Sequence, residues 1–180
     1  NASDLSLLRL WPASHWVELA GEVLCSSSSA RLVFSGLSSE KARVQGIVDS
    51  HHRKWPADKH RVTNAAGETD LKGFLETLSQ SDLVVSVDSA ALHLAAWLGV
   101  PCIGLFGPEN PDFLAPKVPW VETLTLRLTC SPCLAIAANK VSRCQDNVCL
   151  KGISAAQVFK SVQRWLPPSK EPSGEPRSAL

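Results

Sequence analysis

Asp82-Leu83-Val84-Val85-Ser86-Val87-Asp88-Ser89-Ala90-Ala91-Leu92-His93 leads into the apolar run Leu94 to Leu98. Gly99-Val100-Pro101-Cys102-Ile103-Gly104-Leu105-Phe106-Gly107-Pro108 follows. Leu83 to Val87 reads as a strand, and it ends in Asp88-Ser89, residue types whose side-chain oxygens cap free N–H groups at helix starts. Small residues come next, then His93 one turn further on, and the helix stops at Gly99 with Pro101 just beyond. A second apolar run, Cys102 to Phe106, closes in Gly107-Pro108. The pattern is strand, helix, strand, with polar groups at the carboxyl end of the first strand. In open parallel sheets that edge is where ligands bind. The free N–H groups and positive dipole end of the helix favour an anion there.

Outward from this unit, strands keep alternating with helices. Residues 14–25 carry Trp16, Leu19, Ala20, Val23 and Leu24 on one helical face, behind Trp11-Pro12. Ala30 to Ser35 reads as a short buried strand, 38–53 as a helix, and Arg61 to Asn64 as a strand. Ala66-Gly67 turns toward a helix near 70–80. After the central unit come a proline-rich loop (107–119), a strand near 121–128, an irregular cysteine-bearing segment (129–152) and a helix over 154–166. The expected fold is therefore α/β, a Rossmann-like parallel sheet with helices on both faces, filling residues 1–166. The segment 167–180 is Pro, Ser, Glu, Lys and Gly in character and is expected to be a disordered tail. Trp11, Trp16, Trp97, Trp120 and Trp165 are expected in the core or an interface, Cys25 and Cys102 as core thiols, and Trp55 in a solvated turn.

Composition narrows the partners. The chain has 180 residues, 44% of them hydrophobic, and a formal charge of +1. That suffices for a packed core and gives no basic surface for nucleic acid. No apolar stretch approaches the roughly 20 residues of a membrane span, and no secretory leader is present, which implies a cytoplasmic setting. The chain contains no Met, and we read it as a piece of something longer.

These residues resemble a known family. Asp88-Ser89-x-x-x-His93, Leu94-Ala95-Ala96, Gly99-Val100-Pro101 and Leu105-Phe106-Gly107-Pro108 are similar to the signature of the bacterial heptosyltransferases, glycosyltransferase family nine. Ala66-Gly67-Glu68-Thr69-Asp70-Leu71 resembles the Gly-x-Thr-x-Leu step before the preceding helix, and Gly36 with Glu40 the earlier Gly-x-x-x-Glu element. Arg9-Leu10-Trp11-Pro12 resembles the family's Lys-x-Trp-Pro, and Asn1-Ala2-Ser3 the remains of its phosphate loop. The resemblance implies the carboxyl half of a GT-B glycosyltransferase, which takes the nucleotide sugar. The acceptor-binding amino half, with the general base, and the first strand of this half are absent from the sequence. It further implies inverting transfer from ADP-heptose, or a related nucleotide sugar, to a lipid A–core acceptor of lipopolysaccharide. The setting implied is the inner face of the cytoplasmic membrane, and no metal is required.

The resemblance assigns Ser3, Arg9, Glu40, Asp88, Ser89, Ala90, Ala91 and His93 to the substrate site. Chemically, the helix start at Ser89-Ala90-Ala91 offers N–H groups and a hydroxyl to a departing diphosphate. The family has Gly where this chain has Ala90. Arg9 suits phosphate oxygens through its planar fork, Glu40 could accept from ribose hydroxyls, and His93 could donate to phosphate or sugar. Each residue also has a purely structural reading: helix cap, solvated cation, first-turn carboxylate, core imidazole. Catalytic residues are not assigned. Cys130-x-x-Cys133, with Cys144 and Cys149, has spacing compatible with a structural zinc site, with two disulfides, or with free thiols. Two further readings stay open: the same fold with a UDP- or GDP-sugar, and a non-catalytic nucleotide- or metal-binding interaction module.

Overall fold

A computed structural model describes residues 7–134 and 142–166. In chain order, α1 (Ala13–Ser26) precedes β1 (Leu32–Phe34), α2 (Lys41–Lys54) precedes β2 (Val62–Asn64), and α3 (Leu71–Ser79) precedes β3 (Val84–Val87). There follow α4 (Ala90–Trp97), β4 (Cys102–Leu105), α5 (Pro111–Leu114), β5 (Val121–Leu124), α6 (Val148–Lys151) and α7 (Ala155–Trp165). Every strand pair is parallel, with Leu32 facing Val62, Val84 facing Cys102, and Cys102 facing Val121. The expected α/β fold is thus present. The strands form a β1–β2 pair and a β3–β4–β5 sheet. Ser3 and the segment 167–180 lie outside the described residues.

The core is organised around β4, which is buried along its whole length. Ile103 and Leu105 turn to one face and join Trp11, Leu19, Leu150, Val158 and Val162, under α1 and α7. Cys102 and Phe106 turn to the other and join Leu78, Leu92, Ala95 and Val100, under α3 and α4. The alternation is the two-residue period of a strand, and burial on both faces is what a parallel sheet with helices on each side demands. A Cβ on Gly104 would come within 2.8 Å of the Leu92 side chain, so glycine lets α4 lie close to the sheet. Burial pushes the Cys102 thiol up to about 11, which fits an inert core residue. α4 ends at Gly99, whose φ of +77° is the left-handed conformation glycine adopts without strain.

On the outer side, α7 is pinned to β5 through Glu122. That carboxylate accepts hydrogen bonds from the Ser161 hydroxyl (2.8 Å), the Arg164 guanidinium and the Trp165 indole N–H (3.1 Å). Ser154 and Gln157 cap α7 reciprocally, each accepting from the other's backbone N–H.

Four expectations are corrected by the packing. β1 is three residues long and its middle residue, Val33, is 53% exposed rather than buried. Cys25 is exposed rather than buried, and Trp97, at 77% exposure, lies outside the core, which leaves its interface reading. Each follows a buried residue, Ala96 or Leu24, in the last turn of its helix. One further position rotates a side chain by about 100°, off the face that meets the core. Trp55 is no solvated turn residue: it packs on α1 at Gly21, where any Cβ would overlap its ring. The strand expected over 121–128 stops at Leu124, and Arg127 has a φ of +46°.

Beneath Trp55 lies His51, fully buried, its ring 5.0 Å from the indole and neither nitrogen hydrogen-bonded among the described residues. Burial, then the neighbouring His52, holds its pKa below the ordinary value, against a smaller opposing effect of Asp58. The unfolded chain therefore takes up this proton more readily than the folded one. Stability is full above about pH 6.5 and falls as the pH drops below it. His51→Leu should flatten the decline in urea midpoint between about pH 7.5 and 5.5; an unchanged slope would exclude His51 as its source.

Candidate functional site

The parallel register sets the carboxyl ends of neighbouring strands side by side. After β1 and β2 the two loops are stitched together: Ala65 N–H donates to Phe34 (2.8 Å) and Gly67 N–H to Gly36 (2.9 Å). Gly67 has a φ of +71°, and a Cβ there would sit 2.7 Å from Ser38. After β3 the chain enters α4 through Ser89, whose backbone is extended and whose side chain makes no capping bond. Its hydroxyl instead exchanges a 2.9 Å hydrogen bond with Ser86. The first N–H groups of α4 have no acceptor within the helix. Ala90 is exposed and Ala91 half-buried, so among the described residues no side chain plugs this tip. Asp88 lies beside it with its side chain 12% exposed, and the His93 Nε2 approaches the Asp88 carboxylate at 3.5 Å. Asp88, Ser89, Ala90, Ala91 and His93 are thus brought together as one ledge.

Arg9 and Glu40 have other engagements. Arg9 pairs with Glu109, which is 1% exposed and sits in the loop after β4. The ion pair ties the segment ahead of α1 to the strand-end loop. Glu40 accepts from the Leu37 N–H (2.9 Å) and pairs with Arg43, so it closes the 3-10 turn Ser38–Glu40 ahead of α2. The segment carrying Arg9 has two more anchors. Asn147 donates to the carbonyls of Leu8 (3.1 Å) and Leu10 (2.8 Å), and the Trp11 indole donates to Ile153 (2.8 Å).

Sequence reading did not single out Glu109 or Asn147. The signal for Glu109 was a carboxylate directly after Gly107-Pro108. Asn147 carries no local signal, since its partners lie more than a hundred residues away.

The cysteine segment packs on the same strand-end loop. Cys133 and Leu134 donate N–H groups to Pro108 (2.9 and 2.8 Å), and the Ser131 hydroxyl donates to Gly107. A Cβ at Gly107 would meet the Cys149 sulfur at 2.9 Å. Burial raises the Cys149 pKa, reinforced by the charges of Cys133 and Cys144 nearby. All six cysteines are free thiols, Cys130 is exposed, and among the described residues no three His, Cys, Asp or Glu side chains are gathered to hold a metal ion. Cys133 and Cys144 are near enough to Cys149 to act on its charge, while Cys130 is exposed.

Comparison with known proteins decides the family. The model of glycosyltransferase family 9 (heptosyltransferase) matches residues 7–141. The chain belongs to glycosyltransferase family 9. Lipopolysaccharide heptosyltransferase 1 of Pseudomonas aeruginosa is 32% identical over 126 residues, 69% of this chain and 32% of that protein. Lipopolysaccharide heptosyltransferase 2 of Salmonella typhimurium is 30% identical over 107 residues, 59% of this chain and 29% of that protein. This family 9 chain therefore spans about a third of the length of these curated relatives. Among solved structures, E. coli ADP-heptose lps heptosyltransferase II matches with a TM-score of 0.70 at 21% identity, over 88% of this chain and 42% of that one. E. coli heptosyltransferase WaaC with ADP matches at 0.64 and 22%, over 92% and 42%. At these identities the structures show a shared fold.

The Arg9–Glu109 pair invites a stability test. Arg9→Ala removes one partner of the buried Glu109 carboxylate and should cost up to about 2 kcal/mol, while Arg9→Lys keeps the charge and should cost less. Urea unfolding of both variants checks this; equal midpoints for Arg9→Ala and the unmodified chain would show that the pair contributes nothing.

Proposed function

We propose that this chain is the donor-binding half of a glycosyltransferase, and that the α4 tip takes the diphosphate of a nucleotide sugar. The observation that carries the reading is the uncovered helix start at Ser89-Ala90-Ala91, at a strand's carboxyl end in a family 9 chain. Backbone N–H groups there can neutralise the charge that builds on a diphosphate as the sugar leaves, without reorganising during the reaction. The Ser89 hydroxyl, now held by Ser86, is free to turn toward the ligand. His93 is half exposed beside the tip and has a ring N–H to offer, while Asp88 fixes the ring's position.

The donor we propose is ADP-heptose or a close relative. The naming of one matched structure as an ADP-heptose enzyme and the capture of ADP in another support it. The reaction is inverting, needs no metal, and delivers the sugar to a lipid A–core acceptor held by a separate amino-terminal domain. The general base belongs to that domain. Among the described residues no helix is long and apolar enough to cross a membrane, which fits an enzyme working at the cytoplasmic face of the membrane. A UDP- or GDP-sugar is the competing donor.

Isothermal calorimetry separates the alternatives. ADP should bind the chain weakly, UDP and GDP more weakly still, and Ser89→Trp should abolish the ADP signal by filling the tip. His93→Ala should weaken binding by less than tenfold. Tighter binding of UDP or GDP would reassign the donor. Unaltered ADP binding in Ser89→Trp would move the diphosphate away from α4.

A further inference from the structure

Two cysteines from separate segments, Cys133 and Cys149, rest on one dipeptide of the loop after β4. Cys133 donates its N–H to the Pro108 carbonyl (2.9 Å), and the nearby Ser131 hydroxyl donates to Gly107. The Cys149 sulfur lies against Gly107, 2.9 Å from where a Cβ would stand. Glycine at that position leaves the sulfur its place. We propose that Cys133 and Cys149 are a redox pair, which a small-molecule disulfide of the glutathione class closes into an intramolecular disulfide.

The remaining thiols are placed differently. Cys144 donates its S–H to the Asp146 carbonyl (3.1 Å), and Cys130 is exposed. Cys102 is buried with Leu78 and Leu92 and donates to Val100 (3.0 Å), while Cys25 is exposed in the last turn of α1. Burial raises the Cys149 pKa most, and of the two neighbouring thiols Cys133 adds more to that rise than Cys144. A disulfide needs only two sulfurs, whereas among the described residues no three metal-ligating side chains are gathered.

Accessibility sets the order of events. Cys133 is half-buried and Cys149 only 4% exposed, so the Cys133 thiolate meets the reagent first. It attacks one sulfur of glutathione disulfide, the S–S bond breaks, and one glutathione leaves with the electron pair and takes a proton from water. Cys149, its own proton passed to water, then attacks the Cys133 sulfur of the mixed disulfide and releases the second glutathione. The two cysteines lose two electrons and two protons, and the reagent gains them as two thiols. The new bond joins the two supports of the Arg9 segment. Cys133 is held by Pro108, whose neighbour Glu109 pairs with Arg9. Cys149 lies just beyond Asn147, which holds the carbonyls of Leu8 and Leu10. Oxidation therefore braces that segment from the loop after β4 to α6.

Thiol mapping tests the pair without any nucleotide, so its outcome is independent of the donor assignment. The 180-residue chain is equilibrated near neutral pH with reduced or with oxidised glutathione. Free thiols are then alkylated in urea, and tryptic peptides are sequenced by tandem mass spectrometry. In oxidised glutathione most chains should carry a link that fragmentation places at Cys133–Cys149, and dithiothreitol should release it. Cys25 and Cys102 should be alkylated in every sample. Cys130→Ser and Cys144→Ser should keep the link, and Cys133→Ser or Cys149→Ser should lose it. In the linked chain the Leu10 amide, which donates to the Leu7 carbonyl (3.1 Å), should exchange at least about tenfold more slowly. A chain that stays reduced would overturn the proposal, as would one that keeps glutathione on Cys133 with no internal bond. So would a bond placed at Cys130–Cys133 or Cys144–Cys149, or one formed only between two chains. Unchanged Leu10 exchange in the linked chain would overturn the brace.

Discussion

Two-sided burial of β4 is the constraint on which the remaining structure depends. A strand that is apolar on both faces has to be covered twice, and the covering helices are the ones the chain passes through between parallel strands. α4 can approach only because Gly104 has no side chain, and α1 and α7 share the opposite face with Ile103 and Leu105. Once β3 and β4 are held parallel with α4 across them, the start of α4 has to lie at the carboxyl ends of the strands. The ledge at the α4 tip is a by-product of how the core is closed.

Around that ledge the chain uses polar contacts between distant segments rather than further burial. The Arg9–Glu109 pair, the two hydrogen bonds of Asn147 and the Trp11 indole bond all fix the stretch ahead of α1 against the loop after β4 and the two ends of α6. The cysteine segment rests on Gly107-Pro108 from the other side. The strand-end loop is therefore held by backbone hydrogen bonds and by a buried carboxylate, and its thiols contribute packing.

The central unit was legible because several local signals agreed: an apolar run, cap residues, a helical stretch, a left-handed glycine, a proline and a second apolar run. The ledge of Asp88, Ser89, Ala90, Ala91 and His93 was legible for the same reason. Side-chain exposure at helix ends was not, as Trp97 and Cys25 show, because one position decides whether a residue meets the core. The partners of Arg9 and Glu40 were equally hidden. Whether a charge faces ligand, solvent or another charge depends on contacts across the fold, and Glu109 lies a hundred positions from Arg9. The cysteine spacing was compatible with a shared ion, with disulfides or with free thiols, and spacing alone does not choose among them.

The Arg9–Glu109 contact also bears on how such a chain can change over generations. A charge confined with its opposite is harmful to the fold if either is lost alone, whereas replacing both with apolar groups of similar size is often neutral. Here the confinement is one-sided: the Glu109 side chain is 1% exposed and that of Arg9 28%, so the cation can turn to water when the acid is lost, and the acid position is the more constrained of the two.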